Sequence, residues 1–363
     1  MYVPEGEGVT GALMAADPEM SALSVRYLRI VLARIGVTCN NKAMLSVRMT
    51  RYFDRAVQEA RPVLWSFLSA LPGAEDVSTS TDGGAQTDVD AWLHVLDTPA
   101  APPAAVVTPE HALLIGDFST WEQTVADRRY TLFGNAGFLS KYSYATLERC
   151  HGVLSFHAVS MYDEKGDELY IVVGGPGAGK TVTMLEGTLR RGLRVFATEM
   201  THVNFAEQDA GPVFYKGSMY DNVRMQNLLD FPEAGTRLAI PDATEKASDA
   251  KVCLSFAPLA TSRDRLVNPK VSFLFPRIEG ERTTTVAKEL DERELARALY
   301  ENASEMILRP RAYYDNRLAV GAISYPGATR QRLELCQRLA REARVTRALS
   351  ILAGPKDSMV GIS

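Results

Sequence analysis

Eight residues near the middle of the chain have the types and spacing of a phosphate-binding loop. From Gly174 to Thr181 the sequence reads Gly-Gly-Pro-Gly-Ala-Gly-Lys-Thr, which fits the Walker A pattern G-x-x-x-x-G-K-[ST]. Glycines let backbone N–H groups turn inward around an anion, in dihedral angles that side chains disfavour. In this pattern Lys180 reaches the terminal phosphates and the Thr181 hydroxyl ligates Mg²⁺. We therefore predict a site for ATP and Mg²⁺. Its nucleotide-binding residues are Gly174, Gly175, Pro176, Gly177, Ala178, Gly179, Lys180, Thr181 and Val182.

The residues on either side of this loop have the patterns of a strand and a helix. Ile171-Val172-Val173 is a β-branched run that favours a buried strand, and residues 182–189 read as a helix ended by Gly192. A helix that begins at the loop directs the positive end of its dipole toward the phosphates. This order favours a phosphate-binding loop over a chance glycine turn.

Two further residues are candidates for the chemistry. Glu199 follows a predicted helix end, a glycine and a short strand, only 19 residues after Lys180. It is interpreted as a base or an Mg²⁺ contact, and the alternative is a surface glutamate at a strand end. His157 lies on a predicted strand 23 residues before Lys180, and the alternative is a buried core histidine. His202 is left out because it is expected on the opposite face of the strand after Glu199.

Residues 150–305 resemble the HPr kinase/phosphorylase family, which shares a core with phosphoenolpyruvate carboxykinase. The resemblance rests on the loop, the histidine before it, the helix–Arg-Gly–strand run after it, and a late strand (271–277) followed by a helix (289–303). It implies an α/β fold with a mixed sheet, and a pairing of His157 with the Glu199 carboxylate. Where the family has two aspartates, this chain has Thr198 and Glu199. The glycine-rich segment that engages the protein substrate of HPr kinases is not found, which favours another acceptor.

Composition shifts suggest two parts. Helical patterns at about 19–35 and 41–70 precede a polar stretch (74–90) and a proline-rich stretch (98–109). We predict a mainly helical N-terminal module with a linker over 1–105 and a kinase domain over 106–363. The segment 329–353 is also predicted to be helical. On the second helical pattern Arg48, Arg51 and Arg55 share a face, either as an anion-binding surface or as a solvated face.

The overall composition excludes several classes of function. The net charge of −4 gives no bulk attraction to nucleic acid or an anionic membrane. No apolar run approaches the ~20 residues that span a bilayer. The N-terminus lacks the features of a signal peptide, and the four cysteines have no paired spacing. A cytoplasmic protein with reduced thiols is expected.

Together these patterns predict an ATP-dependent kinase that transfers the γ-phosphate to a hydroxyl of a small metabolite or peptide. The alternatives are a nucleotide-binding regulatory protein that has lost its activity, and a P-loop ATPase. Homo-oligomer formation is left open. Three arginines are candidate phosphate clamps, and the polar run 217–222 either lines the acceptor pocket or starts a helix capped by Ser218 or Asp221. These arginines are Arg263, Arg265 and Arg277.

Overall fold

The computed structural model describes residues 24–42, 44, 74–76, 89–99, 101–134, 136–205, 211–238, 251–355 and 359. Within them the chain is a mixed α/β fold with two large mixed sheets and two small two-stranded sheets. The prediction of an α/β fold with a mixed sheet is thereby confirmed. Apart from residues 41, 42 and 44, the helix predicted over 41–70 lies outside the described part of the chain, as do Arg48, Arg51 and Arg55.

The N-terminal part forms a six-stranded sheet in the order β3-β1-β2-β4-β6-β5. The strands β2, β4 and β6 run parallel to one another, whereas β1 is antiparallel to β2 and β5 is antiparallel to β6. The strands are β1 (Ser24–Ile30), β2 (Ala33–Cys39), β3 (Ala74–Asp76), β4 (Ala91–Asp97), β5 (Ala104–Val107) and β6 (His111–Gly116).

The helix predicted over 19–35 is wrong, because a β-hairpin occupies most of these residues. β1 and β2 pair from Ser24↔Cys39 to Ile30↔Ala33. Arg34 is the only exposed residue of β2, which lies between β1 and β4 in the sheet. The turn contains Val31 in a left-handed conformation, with φ 56°. Sequence patterns assign such a conformation to glycine or asparagine, so this turn carried no recognisable signal.

Two helices follow this sheet. They are α1 (Phe118–Thr124) and α2 (Phe138–His151). All residues of α2 from Phe138 to Glu148 are buried, including the charged Lys141 and Glu148. The helix contacts β2 of the first sheet and also packs against the second sheet. It therefore belongs to the interior of the molecule rather than to one surface of it.

The second sheet has nine strands within the described residues. Its order is β14-β11-β10-β7-β8-β15-β19-β16, and β9 pairs with β7. β8, β15 and β19 are parallel, and the other pairings are antiparallel. β12–β13 and β17–β18 form separate two-stranded antiparallel sheets. The strands are β7 (Leu154–Asp163), β8 (Glu168–Val173), β9 (Arg194–Ala197), β10 (Met200–Asn204), β11 (Val213–Tyr215), β12 (Tyr220–Arg224), β13 (Lys251–Ser255), β14 (Arg265–Val267), β15 (Lys270–Ile278), β16 (Val286–Glu289), β17 (Arg311–Tyr313), β18 (Leu318–Val320) and β19 (Arg344–Ala353).

Helices cover both faces of this sheet. The remaining helices are α3 (Lys180–Leu185), α4 (Met225–Asp230), α5 (Ala234–Arg237), α6 (Glu292–Leu308) and α7 (Ala328–Glu342). Leu299 of α6 and Leu339 of α7 pack with Phe156 and Phe273 on one face. On the other face, α3 and α4 pack on the opposite sides of the same strands. Strands buried on both faces read as continuous apolar runs, which explains why β8 and β15 were predicted correctly.

The helix predicted over 329–353 is only partly confirmed. α7 ends at Glu342, and β19 continues from Arg344 to Ala353. β19 lies between β15 and β16, so its backbone hydrogen bonds are made with distant segments. Local helical periodicity was overridden by this tertiary pairing.

The boundary predicted between residues 105 and 106 falls inside β5, which pairs with β6. One cluster of buried side chains contains Leu28 and Leu93 from before this boundary and Tyr142 from after it. The division into two domains stays a prediction, but this position divides a paired strand. In the part of the chain that the structure describes, no helix has both the length and the apolar character to cross a bilayer.

Candidate functional site

The loop predicted to bind phosphate connects β8 to α3, as expected from the sequence. Gly177 and Gly179 have φ values of 84° and 103°, in the left-handed region that favours glycine. At Gly179 a Cβ would also lie 2.1 Å from Cγ1 of Ile278. Around Gly175 and Gly177, by contrast, a Cβ would meet nothing within 4 Å. The loop is thus anchored near α3 and faces open space at its middle, where Pro176 and Gly177 are exposed.

Lys180 is the first residue of α3 and its side chain folds back over the loop. Its Nζ donates to the carbonyl oxygens of Gly174 at 2.7 Å and Gly175 at 3.1 Å. The residue is 9% exposed. Burial lowers the pKa of Lys180 to about 8, although the carboxylates of Asp221, Glu199 and Glu305 act in the opposite direction. The ammonium is therefore held above the loop, and anionic groups nearby favour its charged form.

Thr181 contacts a carboxylate that the sequence analysis did not assign to the catalytic set. Its Oγ1 donates to Oδ2 of Asp221 at 2.9 Å. Asp221 is 7% exposed, and its backbone neighbour Asn222 donates an N–H to Oδ1 at 2.7 Å. Burial raises the pKa of Asp221, with Thr181 and Asn222 opposing this, followed by Lys180 and Lys251. Asp221 lies in β12, so the alternative of a capped helix start at 217–222 is wrong.

Thr198 explains how this carboxylate is held in place. Its hydroxyl makes hydrogen bonds to the carbonyl oxygens of Ser218 at 2.8 Å and Tyr220 at 2.6 Å. The Thr198 N–H also donates to the Ser218 carbonyl. The residue immediately before Asp221 is thereby tied to the end of β9. Through these bonds Thr198 positions an aspartate that comes from β12.

Glu199 lies in the bend between β9 and β10, close to the loop. Its carbonyl oxygen accepts the N–H of Ala158 at 3.1 Å. The negative charge of its carboxylate raises the pKa of Lys180, and also the pKa values of Arg129 and Lys251. The structure thus brings Glu199 into the same electrostatic neighbourhood as Lys180 and Asp221. The general-base and metal-binding roles of Glu199 stay predictions.

His157 lies on β7 and is half-buried beside the start of the loop. Its carbonyl oxygen faces the N–H of Gly174, and its own N–H donates to Oδ1 of Asn302 at 2.9 Å. The pKa of His157 is lowered to about 3 by burial, then by Lys180 and Arg311. The imidazole is therefore neutral near pH 7. The charged groups that shift it are both cations, so its predicted pairing with Glu199 stays a prediction.

The three candidate arginines lie at different distances from the loop. Arg263 is near Tyr162, whose pKa its positive charge lowers. Tyr162 lies near the end of β7, five residues after His157. Arg265 is on β14, four strands from β8, which is about 19 Å at the usual strand spacing. Arg277 precedes Ile278, whose N–H donates to the Ala178 carbonyl, but its side chain is 80% exposed and pairs with Glu279. Of these three arginines, only Arg277 lies next to a residue that contacts the loop.

The donors around Thr181 fit Mg²⁺. This ion takes hard oxygen ligands and is usually held by one or two carboxylates together with substrate phosphates. The Thr181 hydroxyl and the Asp221 carboxylate are such ligands and already lie 2.9 Å apart. Among the described residues, no three His, Cys, Asp or Glu side chains form a metal cage made by protein alone. An ion shared with the nucleotide phosphates is consistent with this donor set.

No protein-family model matches this sequence, and a search of curated proteins finds no match.

Proposed function

We propose that the protein is an ATP-dependent kinase and that the nine-stranded sheet is a phosphate-loop core of the HPr kinase type. The observation that carries this proposal is the hydrogen bond between Thr181 and the buried Asp221, beside a glycine loop covered by Lys180. These residues come from two separate segments of the chain, and the hydrogen bond between Thr181 and Asp221 joins the two segments beside the loop. The order of β7, β8, the loop, α3, β9 and Glu199 adds to the resemblance.

Each group has a defined task in phosphoryl transfer, which depends mainly on positioning and on stabilising negative charge. The loop N–H groups and the Lys180 ammonium would bind the phosphates. Thr181 and Asp221 would hold Mg²⁺, which supplies positive charge to the phosphate oxygens when bound. Glu199 would accept the proton of the acceptor hydroxyl as it attacks the γ-phosphorus, while the bond to the β–γ bridging oxygen of ATP breaks.

The acceptor is proposed to be a hydroxyl on a small metabolite or a peptide. It would lie beside the γ-phosphate, within reach of Glu199, because in-line transfer needs the nucleophile opposite the leaving oxygen. A cytoplasmic location is also proposed. The free cysteines Cys39, Cys150 and Cys336 are compatible with a reducing compartment.

The test is product analysis with the full-length protein. Mg-ATP is incubated with a panel of hydroxylated metabolites and peptides, and ADP and phosphate monoesters are quantified. A phosphate monoester that depends on both Lys180 and the acceptor supports the kinase. ATP hydrolysis that no acceptor changes would favour an ATPase, and binding of Mg-ATP with no turnover would favour a regulatory protein.

A further inference from the structure

A side chain replaces one backbone hydrogen bond at the point where the glycine loop leaves β8. The antiparallel register of β7 and β8 ends at Ala158↔Val173, so His157 and Gly174 would be the next pair. In a hydrogen-bonded antiparallel pair, the two residues exchange both N–H···O bonds. Here the Gly174 N–H faces the His157 carbonyl at 3.5 Å, but the His157 N–H donates to Oδ1 of Asn302 at 2.9 Å. The second bond of the pair is therefore made with α6.

The Gly174 carbonyl oxygen, which would complete this pair, has a different partner. It accepts from Nζ of Lys180 at 2.7 Å, and the Gly175 carbonyl accepts from the same ammonium at 3.1 Å. The oxygen therefore serves the first residue of α3 instead of β7. Because Asn302 takes the N–H that this oxygen leaves, β8 ends one residue earlier than its register allows. The loop consequently begins with a carbonyl that holds Lys180.

The surroundings of Asn302 on α6 show that this residue is not needed to attach the helix. Asparagine is disfavoured in helix interiors, because its side chain competes with the backbone for hydrogen bonds. Asn302 is nevertheless only 9% exposed within a 17-residue helix. Its neighbours Leu299 and Ala303 pack on the nine-stranded sheet, which attaches α6 through apolar contacts. Within the described ranges of the chain, the bond to His157 is the one hydrogen bond that the carboxamide makes. Asn302 is thus bonded to the loop junction alone.

We propose that Asn302 is a positioning residue of the glycine loop, which keeps the Gly174 carbonyl out of the ladder between β7 and β8 so that this oxygen holds Lys180. The consequence for phosphate binding rests on the proposed kinase function, to which it adds α6. Without the Asn302 oxygen the His157 N–H would lose its partner, at a cost of about 1–3 kcal/mol if it stayed buried. The regular ladder bond to the Gly174 carbonyl would restore a partner, and it would draw this oxygen away from Lys180.

The first experiment uses the isotope-labelled full-length protein without nucleotide. Nuclear magnetic resonance detects scalar couplings through hydrogen bonds, and the wild type should show one between the His157 amide nitrogen and the Asn302 side-chain carbonyl carbon. In Asn302→Leu, a coupling from His157 to the Gly174 carbonyl carbon should appear instead. Asn302→Asp retains an acceptor oxygen and should keep the coupling to the side chain at this position. Gln337→Leu, which removes an exposed carboxamide from α7, is the control and should leave the wild-type coupling in place.

A double-mutant cycle tests whether Asn302 acts through Lys180. Isothermal titration calorimetry with Mg-ADP should show about tenfold weaker binding in Asn302→Leu, because a hydrogen bond to a charged group is lost. On the Lys180→Ala background, the same substitution should change the affinity by less than twofold. Gln337→Leu should change it by less than twofold on either background. If Asn302→Leu does not fold, Asn302→Ser, whose hydroxyl is too short to reach His157, replaces it in the cycle.

Three results would overturn the positioning role of Asn302. They are the absence of the His157–Asn302 coupling in the wild type, the absence of a new coupling to Gly174 in Asn302→Leu, and an equal loss of affinity on both backgrounds. An equal loss would mean that Asn302 supports the structure without acting through Lys180. Failure of the wild type to bind Mg-ADP would overturn the kinase proposal, and the couplings measured without nucleotide would still decide the role of Asn302 at the loop.

Discussion

Two aspartates in different sheets each bind a hydroxyl, Asp97 in the six-stranded sheet and Asp221 in the separate β12–β13 pair, and their surroundings differ. Asp97, at the end of β4, accepts from Asn41 Nδ2 at 2.6 Å, from the Ser119 N–H at 3.0 Å and from the Ser119 hydroxyl. Asp221, in β12, accepts from Thr181 and from the N–H of Asn222. The hydroxyl partner is similar, but Asp221 also lies near the ammonium groups of Lys180 and Lys251.

The surroundings of Asp97 suit a structural role, whereas those of Asp221 suit binding or catalysis. Neutral donors from the chain surround Asp97, and they tie the ends of β2 and β4 to α1. Asp221 is buried next to cations and next to a loop whose middle faces open space. Burying a carboxylate is costly unless positive charge or hydrogen bonds compensate, so such an arrangement is a candidate for binding and catalysis. The comparison yields five predictions.

The largest effect is expected at Glu199, which the comparison places with Asp221. Glu199→Gln should lower kcat roughly 10²- to 10⁴-fold, the usual contribution of a general base, with Mg-ATP affinity nearly unchanged. Steady-state kinetics and equilibrium nucleotide binding test this. Glu289→Gln, an exposed position on β16, is the control. A wild-type rate in Glu199→Gln together with a lost rate in Asp221→Asn would transfer the role of base to Asp221.

Lys180→Ala should weaken Mg-ATP binding by about 2–5 kcal/mol, which is roughly 30-fold to several thousand-fold. The reason is the loss of a buried, charge-assisted contact with the phosphates. Titration calorimetry measures the affinity, and circular dichroism checks that the fold is retained. Lys165→Ala, in the exposed turn between β7 and β8, should behave as the wild type. Unchanged affinity and turnover in Lys180→Ala would remove the phosphate-loop assignment.

Asp221→Asn should raise the Mg²⁺ concentration needed for half-maximal turnover roughly 10- to 100-fold. It should not lower stability at pH 7. Burial raises the pKa of the folded-state carboxyl, so ionisation costs folding free energy as the pH rises above its unfolded pKa, and a neutral amide avoids this cost. Magnesium titrations and urea unfolding give the two values. A large loss of stability without any change in Mg²⁺ dependence would make Asp221 a structural residue like Asp97.

Asp97→Ala should show the opposite pattern. It removes the acceptor for Asn41 and Ser119, and we expect a loss of about 1–3 kcal/mol in the free energy of unfolding. Affinity for Mg-ATP should stay within twofold of the wild type, because Asp97 belongs to the other sheet. Urea unfolding and nucleotide titration are compared on the same samples. Weaker nucleotide binding with unchanged stability would remove the distinction between the two aspartates.

The smallest effect is a dependence of nucleotide affinity on pH. Burial lowers the pKa of Lys180 to about 8 in the free protein, and phosphate binds the charged form. Affinity should therefore be highest below pH 8 and fall as the ammonium deprotonates, by roughly eightfold between pH 7.5 and 9 if only the charged form binds. Calorimetry across this range measures it. Lys180→Ala should lack the decline, and a decline that persists in this variant would point to another group.

The two sheets also differ in how far their sequences predicted them. The strands β7, β8, β9 and β15 and the helix α6 were expected, because each is a continuous apolar or amphipathic run with clear ends. The β1–β2 hairpin was missed, since its turn has Val31 and Leu32 in place of glycine or asparagine. β19 was also missed, because its pairing partners β15 and β16 are about 60–75 residues away.

The sequence by itself determined the glycine loop that we propose binds phosphate, because the conformation of Gly174 to Thr181 is set within one short segment. It also placed Glu199 and His157 near that loop, through their spacing along neighbouring strands. Only the tertiary structure decided that Asp221 is the partner of Thr181, 40 residues away, and that Thr198 holds it there. Contacts between distant segments depend on how the sheets pack, and no local pattern encodes that packing.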